Sequence, residues 1–376
     1  MDCTVKAALL SLVLCVILWI SCIEAKRWRL TEEEDANFER QLKILNKPYV
    51  KSYKVANGDI IDCVDIYKQP AFDHPLLKNH TLQNAVNGPS ENGKHEIGVK
   101  ESCPEGYVPI RRTQKEDLIR AKKYARHLQF KRSNRLQKSE NRTGNHVSHL
   151  SLYAILGWFG GPLRFYGAEA LMDVFNLPGV VDDQFSSAQI ILEKGDGGPE
   201  DYINTIQFGW DSDDYQKTGC FNQLCPGYVQ ISQKFFPGGV LQPGRGAIKF
   251  TVLRDPYNLN WYLLTGTEVV GYFPKQIFNN MADSDQVEMG GIVHKPESTH
   301  FSPPMGNGAF PDNARSACEY KQIVFFDGAG NSYQPRSTAY RYHDVPNFYG
   351  LSDPKNYSGD DGYTFQFGGP GGYIYA

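Results

Sequence analysis

The stretch Ile203-Asn204-Thr205-Ile206-Gln207-Phe208-Gly209-Trp210 alternates its side chains like a strand buried on one face. Ile206, Phe208 and Trp210 share one side; Thr205, Gln207 and Gly209 share the other. A polar side chain central to such a strand either bonds within a core or points into a cleft. The neighbouring glycine leaves room for a close approach. A second stretch, Gln286-Val287-Glu288-Met289-Gly290-Gly291-Ile292-Val293, has the same character.

Outward from these two, strand patterns run continuously from Leu150. They cover Leu152 to Phe159, Phe165 to Phe175, Phe185 to Leu192, Gly227 to Ser232 and Ala247 to Leu253. They continue through Trp261 to Val270, Gln322 to Phe326 and Tyr363 to Phe367, with a turn at Pro274 to Met281. Gly, Pro and Asp clusters separate them at short intervals, and no long amphipathic helix intervenes. This spacing predicts two stacked antiparallel sheets, a β-sandwich.

The 376 residues exceed one ordinary domain. With 36 Gly, 22 Pro, 22 Tyr and 21 Phe, the composition favours strands and turns over helices. The net charge of −3 hides an asymmetry. Residues 1–150 sum to about +7 and residues 151–376 to about −10, so the two parts attract each other. The acidic larger part argues against nucleic-acid binding.

Residues 1–25 read as a secretory signal: Lys6, an apolar run from Ala7 to Ile20, then small residues ending near Ala25. No later apolar stretch is long enough to cross a bilayer as a helix. Thr31-Glu32-Glu33-Glu34 is a capping box opening a helix that stops before Pro48. A hairpin follows, Val50 to Val55 and Ile60 to Ile66 about Asn57-Gly58. The Pro-punctuated segment after it, through Leu77, reads as extended and non-helical. Pro104 to Ile110 is a further strand. A second capping box, Thr113 to Glu116, starts a helix to about Leu128. Lys131 to His146 reads as an exposed linker, with Lys131-Arg132 open to a processing protease.

In a secreted chain, Cys63 and Cys103 are candidates to pair, as are Cys220 and Cys225, which flank a four-residue loop. Cys318 is left over, either buried and inert or a free thiol. No metal-ligand spacing appears among the Cys and His residues, and no cofactor is expected. Three sequons, at Asn79, Asn141 and Asn356, are candidate glycan sites in predicted loops.

The chain carries no G-x-S-x-G, H-E-x-x-H, P-loop or papain-type signature. The segment Asp62-Cys63-Val64-Asp65-Ile66-Tyr67-Lys68-Gln69-Pro70-Ala71-Phe72-Asp73-His74-Pro75 resembles the activation peptide of plant neprosin proteins. The C-terminal part resembles their peptidase domain. The matching runs are Ile203 to Trp210, Thr218 to Gln230, Arg254 to Pro274, Met305 to Pro311 and Gly368 to Gly371.

The resemblance divides the chain into a signal (1–25), an α+β activation or pro-domain (26–130), a linker (131–146) and a peptidase-type sandwich (147–376). It implies a secreted, extracellular zymogen of the apoplast or cell wall, paired with its own pro-domain. Active members use two glutamates and no metal to cleave after proline at acidic pH. One ionised carboxyl activates water while the other, protonated, polarises the scissile carbonyl.

Carried onto this chain, the first glutamate falls at Gln207, and the second, after the Gly-Gly pair, at Ile292. Gln cannot ionise and Ile has no polar group, so the family's proton exchange has no residues to run on. The family also carries an extra aromatic strand between Trp210 and Cys220, where only Asp211 to Thr218 remain; its loss predicts an exposed sheet edge.

Two readings follow. One is a non-catalytic homologue that keeps a groove for proline-rich peptides, with Trp210, Tyr272 and Phe273 as candidates to stack on proline. Core packing is the commoner fate of each such ring. The other is an acid endopeptidase rebuilt on Gln207 and Glu288, since Glu288 faces the same side as Ile292 in a regular strand.

Overall fold

In the computed structural model the described residues are 31–55, 58–83, 102–119, 151–161, 163–177, 180, 184–195, 198–199, 202–211, 227–239, 241, 246–295, 299–335 and 339–373. Two compact units divide the chain after Ile44. The first is described only by the helix α1 (Glu32–Leu45) and the residue before it. Its capping box is closed in both directions. Glu34 N–H donates to Thr31 Oγ1 at 3.2 Å, and Thr31 N–H donates to Glu34 Oε2 at 3.1 Å. Four acidic residues in the first turn complement the helix dipole.

The second unit opens with an antiparallel sheet of β1 (Tyr49–Lys54), β2 (Ile60–Asp65) and β3 (Tyr107–Arg111), with β2 central. Gly58 sits at φ +96° in the turn, a conformation glycine adopts without strain. Cys63 is buried on β2 and bonded to Cys103. The Arg112 guanidinium grips Asp62 with two donors, at 2.8 and 2.6 Å. At the second expected capping box, the Asp117 carboxylate takes the Gln114 N–H at 2.6 Å. Residues 115–119 are helical, and the remainder of that expected helix lies outside the described residues.

The Pro-punctuated segment differs from its extended reading. It forms two single-turn 3-10 helices, Pro70–Asp73 and Pro75–Leu77. Proline opens each turn, where its missing N–H costs nothing, and the next proline closes the first turn quickly.

The rest is strands: β4 (Ser151–Phe159), β5 (Gly167–Asp173), β6 (Phe185–Lys194), β7 (Asn204–Asp211), β8 (Val229–Gln230), β9 (Ala247–Arg254), β10 (Trp261–Thr265), β11 (Glu268–Phe273), β12 (Gln286–His294), β13 (Phe301–Ser302), β14 (Cys318–Phe326), β15 (Ser332–Tyr333), β16 (Tyr340–His343), β17 (Gly350–Leu351), β18 (Lys355–Tyr357), β19 (Gly362–Gly368) and β20 (Gly372–Tyr373). The stretch read as one strand from Trp261 to Val270 is a hairpin, β10 to β11. Gly266 at φ +61° turns the chain there.

A five-stranded sheet runs β16-β4-β12-β6-β7, and a larger one runs β17-β19-β14-β5-β9-β10-β11-β8 with β15 and β18 alongside. The strand pairs among the described residues are all antiparallel. The chain is mainly β, an antiparallel sandwich preceded by a small pro-domain. Alternation fills the space between the sheets. Leu152, Ala154, Leu156 and Trp158 on β4 meet Phe250, Val252, Trp261 and Phe325 from the large sheet in one cluster. Tyr320 crosses this core and donates its hydroxyl to the carbonyls of Gln189 and Gly290, each at 2.9 Å.

Candidate functional site

Since the odd-even pattern sends one set of side chains into the core, the other set faces outward from the five-stranded sheet. On β12 these are Gln286, Glu288, Gly290, Ile292 and His294; on β6 they are Phe185, Ser187, Gln189, Ile191 and Glu193. Thr205, Gln207 and Gly209 face the same way on β7. Burial deepens from the outer strands to the centre. Gln207 on β7 and Phe159 and Tyr342 on β4 and β16 are exposed, whereas Glu288, Gln189 and Ile292 are buried. This face, the trough, is buried along β6 and β12 and exposed at residues of its outer strands.

Register fixes which residues meet. Gln207 lies opposite Ile191, and Ile191 lies opposite Glu288. Glu288 is in turn opposite Gly157, and Gly157 opposite Tyr340. Gln207 and Glu288 therefore share one row. Ile292 is opposite Ser187, four residues away along β6 and on its other side. At 3.2–3.4 Å per residue the offset is about 13 Å along the strand. Gln207 and Ile292, which the resemblance pairs, are not brought together.

Ile292 is enclosed by Tyr153, Ile155, Phe185 and Ile191. Glu288, by contrast, sits in a polar network. Its Oε1 accepts from Tyr340 OH at 2.5 Å and from Gln286 Nε2 at 2.7 Å, and Gln286 Nε2 also donates to Tyr340 OH. Tyr340 fits because Gly157 has no side chain; a Cβ there would stand 2.1 Å from the ring. Along the trough, Thr205 Oγ1 donates to Glu193 Oε2 at 3.1 Å.

The glycines serve the sheet itself. A Cβ on Gly209 would fall 2.0 Å from the Ala188 carbonyl oxygen, so what approaches there is the backbone of β6. Gly291 points into the core, where a Cβ would strike Met305 and Phe367, and a Cβ on Gly290 would stand 2.1 Å from the Ala154 carbonyl oxygen of β4. From the core Tyr320 holds the Gln189 and Gly290 carbonyls.

The other expected groove residues lie elsewhere. Tyr272 is fully buried on the outer side of the large sheet, in a cluster with Ala71, Val229, Tyr262 and Leu264. Its hydroxyl meets His80 Nε2 at 2.7 Å and accepts the Gln83 N–H at 3.1 Å, so the pro-segment covers it. Desolvation raises the Tyr272 pKa and lowers that of His80. Phe273 packs edge-on against Tyr228 and Phe278 at the main core. Trp210 lies on β7, and its side chain falls outside the described residues, as do Cys220, Cys225 and Asn141. Tyr340 and Tyr342, with Tyr153, Phe159 and Phe185, line the trough, and the sequence reading named none of them for it. Their signal was Tyr340-Arg341-Tyr342, an alternation too short to stand out.

The pro-segment is anchored by Gln69. Its Nε2 donates to the Gln230 carbonyl at 3.1 Å, and its Oε1 accepts the Gln230 N–H at 2.7 Å. The side-chain amide thus pairs with β8 as a neighbouring strand would. Cys318 is a free thiol buried in the main core, and burial pushes its pKa well up. Asn79 is exposed in a turn. Asn356 is exposed on β18 and not in a loop, and it donates to Gln334 Oε1 at 2.9 Å. Among the described residues no group of His, Cys, Asp and Glu is arranged to hold a metal ion, and no helix is long and apolar enough to cross a membrane.

Two family models match. The neprosin activation peptide covers residues 52–156, and the neprosin domain covers residues 210–370. The first spans most of the disulfide-linked sheet and the segment docked on β8 and β11, and the second spans the sandwich from the end of β7 onward. The chain belongs to the neprosin family, as an activation peptide followed by a neprosin domain.

Proposed function

We propose that this protein is a secreted, extracellular homologue of the neprosin-type prolyl endopeptidases that does not hydrolyse peptides and uses the trough as a groove for proline-rich segments. The observation that carries this reading is the surrounding of Ile292. The position that resembles a catalytic carboxyl is an aliphatic side chain walled by Tyr153, Ile155, Phe185 and Ile191. The other position, Gln207, is an exposed amide with no carboxylate bonded to it among the described residues. Proton exchange between these two positions has no acid to run on. Exposed Tyr342 and Phe159 at the far side of the trough offer flat apolar faces to proline rings, as grooves for extended Pro-rich ligands do.

One observation favours a second reading, a rebuilt acid endopeptidase. Gln207 and Glu288 share a row, and the Glu288 carboxyl is held by Tyr340 and Gln286. Two strand spacings still separate them, about 9.5 Å. The test is fluorescence anisotropy with a labelled proline-rich peptide, followed by its mass. Saturable binding with the mass unchanged supports the first reading. A fragment ending in proline supports the second, and no binding removes the groove.

A further inference from the structure

Hydrogen-bonding capacity in the trough is lopsided. Gln286 and Gln189 are both buried on its floor, and the Oε1 of each has no donor among the described residues. Neither amide gains by turning over. Gln286 Nε2 already serves Glu288 and Tyr340. Gln189 Nε2 donates to Ser187 Oγ, whose own proton goes to the Ile292 carbonyl. Ser187 therefore needs the donor end of the amide, and Gln189 is left offering an oxygen. Between these two, Glu288 is buried and forms no salt bridge with Lys, Arg or His among the described residues. Its second oxygen accepts no hydrogen bond from any described residue.

An unpaired buried acceptor is unfavourable, and a buried carboxylate without a cation more so. Two such acceptors flank the Glu288 carboxylate on one floor, with no donor facing them among the described residues, and this set matches one kind of ligand. Gln189 and Glu288 lie on adjacent strands two residues apart, about 8 Å between Cα atoms. Ile191 stands beside both, and Ile155 flanks Gly290, so aliphatic walls adjoin the acceptors.

We propose that the floor of the trough binds the guanidinium of an arginine carried by a peptide ligand. Glu288 supplies the countercharge, Gln286 and Gln189 supply neutral acceptors, and Ile191 packs on the methylene stem. Guanidinium brings five donors in one plane, remains charged at every relevant pH, and tolerates partial desolvation better than an ammonium group. The assignment rests on the trough being open to a peptide and goes further by naming which side chain enters it.

The experiment uses the intact chain and three proline-rich peptides identical except for Arg, citrulline or Lys at one position, together with N-acetylarginine amide, which contains no proline. The Arg peptide is expected to bind at least about tenfold tighter than its neutral citrulline counterpart, the span of a charge-assisted hydrogen bond. Lys should fall between them. In Glu288→Gln, which keeps shape and the Tyr340 contact, the Arg preference should shrink to about twofold or less, and Gln189→Leu should lower it in a second, independent way. Equal affinity for the Arg and citrulline peptides overturns the guanidinium site and leaves the peptide groove standing. Binding of N-acetylarginine amide that depends on Glu288, without binding of any proline-rich peptide, does the reverse. Absence of binding by all four probes overturns both.

Discussion

Gln207 on β7 and Glu288 on β12 lie in one row of the five-stranded sheet, with Ile191 of β6 between them. Ile292 lies four residues farther along. Restoring glutamates at 207 and 292 therefore places them at backbone positions about 16 Å apart, from two strand spacings and four residue rises. The Gln207→Glu, Ile292→Glu double variant should remain unable to cleave proline-rich peptides. Ile292→Glu alone should destabilise the fold by about 2–7 kcal/mol, since its carboxyl enters an apolar wall. Denaturant unfolding and a cleavage assay read both effects; cleavage by the double variant contradicts the observed register.

Gln69 fills the free edge of β8 with a side-chain amide. Truncation in Gln69→Ala leaves the buried Gln230 N–H without its acceptor. The expected loss is about 1–3 kcal/mol in denaturant unfolding. A loss within error shows that water replaces the amide at no cost.

His80 loses basicity through desolvation where it meets Tyr272, with Phe72 stacked beside it and Tyr262 behind Tyr272. Its folded pKa lies below the ordinary 6.5, so the unfolded chain binds the proton first as pH falls. The His80 contribution is complete above about pH 6.5 and is lost as pH drops through the folded value. In thermal melts the wild type should lose more stability than His80→Phe on moving from about pH 7 to 5, because carboxyl titrations are common to both. Equal losses remove His80 as a pH-sensitive contact of the pro-segment.

The Cys63–Cys103 bond closes a loop with a sequence separation of 40. Chain entropy for that length gives about 4 kcal/mol. Cys63→Ser paired with Cys103→Ser should lower the unfolding free energy by that order, read by denaturant titration. A change below about 1 kcal/mol means the reduced chain is already restrained there.

Much of the fold was legible. The alternations of Ile203 to Trp210 and Gln286 to Val293 gave β7 and β12 nearly to the residue, because one buried face makes a two-residue period unmistakable. The capping box at Thr31 was equally plain, being a local device. Three things were not legible. The β10–β11 hairpin hid because a single Gly-Thr turn breaks apolar character only briefly. The edge strands β16 to β18 are too short to show a period. The row shared by Gln207 and Glu288 depends on how β7 and β12 each pair with β6, and no single strand's sequence states its register. Tyr272 misled for the same reason: an aromatic beside a cleft-like motif reads alike whether a ligand or the chain's own pro-segment covers it.

The central claim is that the two positions the family resemblance assigns to catalysis, Gln207 and Ile292, hold no acid and cannot exchange a proton. It is tested most directly by incubating the purified chain with proline-rich peptides between about pH 2 and 7, the span of carboxyl and imidazole titration, and weighing the products by mass spectrometry. The expected result is intact peptide at every pH. A product ending in proline that disappears with Gln207→Ala or Glu288→Gln contradicts the account and establishes the Gln207–Glu288 row as an active site.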